Sequence, residues 1–225
     1  EFEYMQHMDA VVSSLWGPQD RFRALHVGGA ACALACAWSS SHPQSRHVAV
    51  EVDRSLAEQV REHFPIPKAP QVKIRVGDGR AVLDGTREGS FDVIVRDAFA
   101  SGVTPDHLRT VECADRARRA LTASGVYLVN CAHGGPANAR QDVAALQDVF
   151  PFVASIQDPK VGRGGRRGNV VALASAADVV DVDQIDRALR MLALPARITR
   201  PAELTRWVAG TPTLTDAQVG YPQAD

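Results

Sequence analysis

Four stretches of the chain set glycine or a carboxylate directly after a short apolar run, and these are the residues with chemistry to offer. The first is His26-Val27-Gly28-Gly29-Ala30. Glycine after a strand lets the backbone turn tightly and lets a ligand approach with no Cβ in the way. Gly28 and Gly29 fall short of a full dinucleotide fingerprint, and an ordinary strand-to-helix turn explains them equally well. The second is Val50-Glu51-Val52-Asp53, where an acid about 20 residues after the glycines is placed to accept hydrogen bonds from ribose hydroxyls. Glu51 takes that role in this reading, with Asp53 at or near the cap of the next helix. The third is Gly77-Asp78-Gly79-Arg80, whose carboxylate suits the exocyclic amine of an adenine, although Asp-Gly is also a common loop pair. The fourth ends in Arg96-Asp97-Ala98-Phe99, where Asp97 follows a hydrophobic strand stiff enough to fix a catalytic or orienting carboxylate.

Such strand ends need a scaffold, and the pattern around them supplies one. Strand-like runs are expected at Phe22–Val27, Val48–Val52, Val72–Val76, Phe91–Val95 and Val126–Val129. Between them lie helical stretches near Ala31–Ser39, Ser55–His63 and Pro105–Leu121, the last opened by Thr104-Pro105 and stopped by Ser124-Gly125. Short apolar strands alternating with helices predict an α/β fold with a parallel sheet covered on both faces. Phe152–Ile156 and Asn169–Ala174, joined by a Gly/Arg-rich turn at 162–168, predict an antiparallel hairpin at its end. The division expected is an N-terminal entry helix over 1–20, a nucleoside-binding catalytic domain over 21–178, and a C-terminal helix and tail over 179–225 packing on the same domain, with the stretch from Pro195 wrapping the surface. The chain opens on Glu1 rather than Met, which predicts a further N-terminal element upstream.

Composition narrows the function class. The chain of 225 residues is 45% hydrophobic and 23% charged, with a formal net charge of -1. That balance and the lack of a dense basic block argue against a nucleic-acid or membrane-surface partner. No apolar run approaches the roughly 20 residues of a membrane span. Cys32, Cys36, Cys113 and Cys131 lack a second ligand pair at zinc spacing, so buried free thiols in a reducing cytoplasm are expected. His7, His26, His107 and His133 are scattered and take structural or surface roles in this reading, so no metal is expected. His133-Gly134-Gly135 follows the fifth strand and is a candidate for the pocket wall. Trp38 and Trp207 read as core or interface residues.

With these residues in view, the sequence resembles the spermidine synthase family, the polyamine aminopropyltransferases, from residue 1 to about residue 175. Glu1-Phe2-Glu3-Tyr4-Met5-Gln6 is similar to the family's entry helix, and Val50-Glu51-Val52-Asp53 to its Val-Glu-Ile-Asp motif. Gly28-Gly29 stands for its glycine-rich turn, Asp78-Gly79 for its adenine-side pair, and Asp97 for the first Asp of its Asp-x-x-Asp-Pro loop. The resemblance implies a Rossmann-like, doubly wound, mostly parallel seven-stranded sheet. It also implies a homodimer, and a co-substrate that is S-adenosylmethionine or its decarboxylated form. Asp97 and Tyr4 would be the catalytic pair. Gly28, Gly29, Glu51, Asp78, Gly79 and Gln6 would bind the co-substrate, Gln6 facing either the ligand or solvent. The acceptor would be an amine or another small molecule. Two family acids are replaced, by Ala31 and Ala100. Three functions follow from this: an aminopropyltransferase with an altered substrate, an S-adenosylmethionine-dependent methyltransferase, and an inactive nucleoside-binding homologue.

Overall fold

A computed structural model describes residues 2–29, 31–161 and 166–222. Ala30 of the glycine turn, Glu1 of the entry motif and Gly162 to Gly165 of the expected hairpin turn lie outside the described residues. The sheet is built from β1 (Arg23–Val27), β2 (Arg46–Glu51), β3 (Val72–Val76), β4 (Phe91–Arg96), β5 (Leu121–His133), β6 (Phe152–Gln157), β7 (Gly168–Ser175) and β8 (Arg197–Thr199). Their order is β3-β2-β1-β4-β5-β7-β6-β8. The first five pair in parallel. The contacts β5–β7, β7–β6 and β6–β8 are antiparallel. This is the expected Rossmann-like, mostly parallel sheet with an antiparallel end, with eight strands instead of seven.

The helices are α1 (Glu3–Leu15), α2 (Ala33–Ser41), α3 (Arg54–His63), α4 (Gly79–Asp84), α5 (Val111–Ala120), α6 (Ala139–Gln147), α7 (Val182–Arg190), α8 (Pro201–Val208) and α9 (Asp216–Val219). On α1, Met8, Val11 and Val12 recur at helical spacing and are fully buried. They pack with Trp38 of α2 and Ile185 and Leu189 of α7 on one face of the sheet. Each such buried side chain contributes about 1.5–3 kcal/mol. α4, α5, α6 and α8 cover the other face through residues such as Leu83, Ala117, Val143 and Leu204. Trp38 is wholly buried, with its indole N–H donated to Asp9 at 3.1 Å. Trp207 packs against the second core and His133.

Three expectations are corrected. The helix expected over 105–121 begins only at Val111, where Thr110 Oγ1 accepts from Cys113 N at 3.1 Å. Thr104-Pro105 instead leads into one 3-10 turn, Asp106–Leu108. Ser124-Gly125 does not stop a helix but lies within β5, where a Cβ on Gly125 would come within 3.0 Å of Asp92 O. The segment after Pro195 forms β8, α8 and α9 rather than a plain surface wrap. No helix among the described residues is long and apolar enough to cross a membrane. None of the four cysteines is in a disulfide among the described residues; Cys32, Cys113 and Cys131 are buried and Cys36 is half-buried.

Candidate functional site

β1 is flanked by β2 on one side and β4 on the other, all parallel, so the direction in which successive strands are added to the sheet reverses at β1. Strand ends diverge at such a switch point and leave a crevice. Here the crevice is a cleft of about 400 Å³, lined among others by Tyr4, Gly28, Gly29, Glu51, Asp78, Gly79 and Asp97. Seven of the eight expected site residues are thus gathered in one place. Gln6 is not among the lining residues. Its neighbours Tyr4 and Met5 face the cleft, and the helical turn carries Gln6 round to a half-buried position.

Each glycine answers a contact. Gly28 has φ +87°, and a Cβ there would fall 2.4 Å from Asp97 O. A Cβ on Gly79 would fall 2.3 Å from Val27 Cγ1, so α4 can press on the end of β1 only through glycine. Gly29 N donates to Val50 O at 2.7 Å, tying the turn to β2.

The carboxylates are held individually. Asp97 follows β4, and its N–H donates to Val27 O at 2.8 Å. Tyr4 Oη donates to Asp97 Oδ2 at 2.7 Å, and Asn130 Nδ2 donates to Oδ1 at 2.8 Å. Burial, and then the hydrogen bond to Asp97, push the Tyr4 hydroxyl above its ordinary range, so it stays a donor. Both Asp97 oxygens keep lone pairs beyond these bonds. Glu51 is buried at the end of β2 and accepts from Asp53 N at 2.9 Å. Asp53 caps α3 through Leu56 N, as expected. Asp78 caps α4 through Ala81 N at 2.9 Å, and its second oxygen accepts from His107 Nε2 at 3.0 Å.

Several residues of the site were missing from the sequence reading. Asn130 sits amid an apolar run, and its one signal is an amide level with Asp97 on the neighbouring strand. His26 and His107, read as structural or surface, both line the cleft. Met5, Leu34, Ala98 and Phe99 make much of the wall apolar. His133 goes the other way: it packs on Trp207 and accepts from Ala139 N at 3.3 Å, outside the cleft lining. Among the described residues, no group of three or more His, Cys, Asp or Glu is placed to hold a metal ion.

No family model matches the chain. It is similar to the polyamine aminopropyltransferase of Vibrio vulnificus, 26% identical over 110 residues, which cover 48% of this chain and 37% of that protein. The chain therefore spans little more than a third of that curated relative. Among solved structures, a probable spermidine synthase from Corynebacterium glutamicum aligns with a TM-score of 0.87 at 35% identity, over 96% of this chain and 81% of that one. Human methyltransferase-like protein 13, solved with SAH, aligns with a TM-score of 0.67 at 17% identity over 96% of each chain, a likeness of fold.

Proposed function

The chain belongs to the spermidine synthase family, and on that premise we propose that it transfers an aminopropyl group from a decarboxylated S-adenosylmethionine-type donor to a small-molecule amine. The observation that carries this is Asp97, held between Tyr4 and Asn130 at the cleft whose floor is the Gly28-Gly29 turn. The donor would supply an electrophilic carbon beside a sulfonium, which needs no acid to leave.

The fit of such a ligand rests on the Gly28-Gly29 turn, where glycine lets the end of β1 lie against Asp97 at the cleft floor, and on the buried Glu51 carboxylate at the adjacent strand end. Glu51 would hold the ribose. Asp78 and Gly79 would border the adenine, with His107 orienting the Asp78 carboxylate. Asp97 would accept an N–H of the attacking amine and hold the nitrogen in line. Alkyl amines are mostly protonated at neutral pH, so the amine must shed a proton, and Asp97 is the carboxylate positioned to receive or relay it. Tyr4 stays protonated and fixes the carboxylate plane.

Homodimeric assembly and a cytoplasmic setting belong to the same proposal, and a solution mass of two chains would support the first. One observation favours a second reading, an S-adenosylmethionine-dependent methyltransferase: Ala31 and Ala100 line the cleft in place of the family's extra acids, so a donor that retains its carboxylate would meet less repulsion.

Calorimetry with S-adenosylmethionine, its decarboxylated form, S-adenosylhomocysteine and methylthioadenosine separates the two. Preference for the decarboxylated donor and methylthioadenosine supports aminopropyl transfer. Preference for S-adenosylmethionine and S-adenosylhomocysteine supports methyl transfer, and no binding at all removes both. With the preferred donor, Asp97→Asn is expected to keep binding and lose turnover, whereas Glu51→Ala weakens binding itself. Equal loss of binding in both variants would contradict this division of roles.

A further inference from the structure

Beneath the glycine turn runs a polar chain that the reading above leaves unused. Ser45 and His47 at the start of β2 and His26 on β1 are all buried. Ser45 Oγ lies 2.6 Å from His42 O, a carbonyl that only accepts, so the hydroxyl proton is committed there. Its lone pair then receives the Nε2–H of His47 at 2.8 Å, which leaves His47 Nδ1 unprotonated. That nitrogen is 3.0 Å from His26 Nε2, which must donate. The tautomer of His26 is fixed by this relay, and its Nδ1 keeps a lone pair.

His26 lines the cleft, and no hydrogen bond among the described residues engages its Nδ1. Burial keeps both rings neutral: the His47 imidazole is pushed down to about 4, and burial, then neighbouring His47, lowers His26 well below its ordinary value. Strand alternation sets the direction. His26 is level with Val95 on β4, and Asp97 follows two residues on, so both side chains leave the same face of the sheet. Tyr4 covers that face and Leu34 and Met5 line it, which leaves few polar acceptors near the reactive end.

We infer that His26 is a specificity-determining residue of the cleft, its Nδ1 accepting a hydrogen bond from the amine of the aminopropyl donor, next to the attacking amine that Asp97 would hold. A neutral imidazole accepts one N–H of the donor's ammonium without adding a second negative charge to the site that holds the Asp97 carboxylate. The inference rests on the proposed nucleoside-and-amine reading of the cleft and adds the residue that selects for the amine.

Two probes test it: decarboxylated S-adenosylmethionine, which carries the amine, and methylthioadenosine, which has the same nucleoside without it. In His26→Leu, affinity for the first is expected to fall about tenfold, the scale of one hydrogen bond to a charged group. Methylthioadenosine affinity stays unchanged. His26→Asn, which returns an acceptor near the place of Nδ1, recovers part of the loss.

The native protein gives a test that does not depend on the variants folding. Imidazole 15N spectra are expected to show His26 as the Nε2–H tautomer, with an Nδ1 resonance that moves on addition of the amine-bearing ligand and not of methylthioadenosine. An unmoved Nδ1 resonance, or equal weakening of both probes in His26→Leu, overturns the inference. Failure of methylthioadenosine to bind the native protein overturns the parent reading, and this inference with it.

Discussion

Tyr4 and Asp97 are 93 residues apart in the chain and 2.7 Å apart in the fold. The phenol is half-buried against a carboxylate and stays protonated, so in the proposed reaction it would orient rather than transfer a proton. Tyr4→Phe removes one donor and little volume. Turnover with the preferred donor and amine is expected to fall by about 10- to 100-fold, the equivalent of about 1.5–3 kcal/mol for a hydrogen bond to a charged group. Methylthioadenosine binding should be unchanged, and an unaltered rate would remove Tyr4 from the mechanism. At this scale the carboxylates were legible in the sequence, because an acid after an apolar run marks a strand end. Asn130 and His26 were not, because each sits among apolar neighbours. Only the register across β1, β4 and β5 brings Asn130 to Asp97 and His26 into the same cleft.

At the scale of elements, the cleft depends on how closely β1, β4 and α4 approach one another. Gly28→Ala meets both a positive φ and the Asp97 carbonyl at 2.4 Å. It is expected to destabilise the fold by about 1–3 kcal/mol and to displace Asp97, lowering both the melting temperature and ligand affinity. A variant as stable and as tight-binding as the parent would show that the turn is slack. The central parallel strands β1, β4 and β5 were legible as nearly continuous apolar runs buried along much of their length, whereas β3, at the sheet edge, shows itself by alternation of Val72, Ile74 and Val76 with Lys73 and Arg75. α4 was hidden because it opens on Gly79, a poor helix former chosen by its contact with Val27 rather than by propensity. The start of α5 was misplaced because Thr104-Pro105 carries the same capping signal as Thr110. β8 is only three residues long and has one buried side chain, Ile198, too little for a periodicity.

For the whole molecule, buried neutral histidines make stability depend on acid. Burial pushes His7 and His47 down to about 4 and His26 well below its usual value. Above about pH 6.5 these rings are neutral in both states and contribute no pH dependence. As pH falls from there toward about 4, the unfolded chain takes up protons that the folded chain refuses, and stability drops. The slope is on the order of 1.4 kcal/mol per pH unit for each fully buried ring. Urea midpoints should therefore fall between about pH 7 and about pH 5. A flat profile across that range would mean the rings reach water.

The far end of the chain is anchored with equal care. Arg80 donates to both oxygens of Asp216, at 2.8 and 2.5 Å, and Thr110 donates to the same carboxylate at 2.7 Å. Tyr221 stacks on His107, the residue that holds Asp78 at the cleft, and donates to Asp84 from 137 residues away. The walls of the cleft thus draw on residues from near both ends of the described chain, while the glycine floor comes from its first strands. During synthesis the floor is made early, but the ring that stacks behind His107 arrives only when residue 221 has been added and folded back. The finished wall of this cleft is consequently a late product of folding, formed only once distant segments of the chain have met.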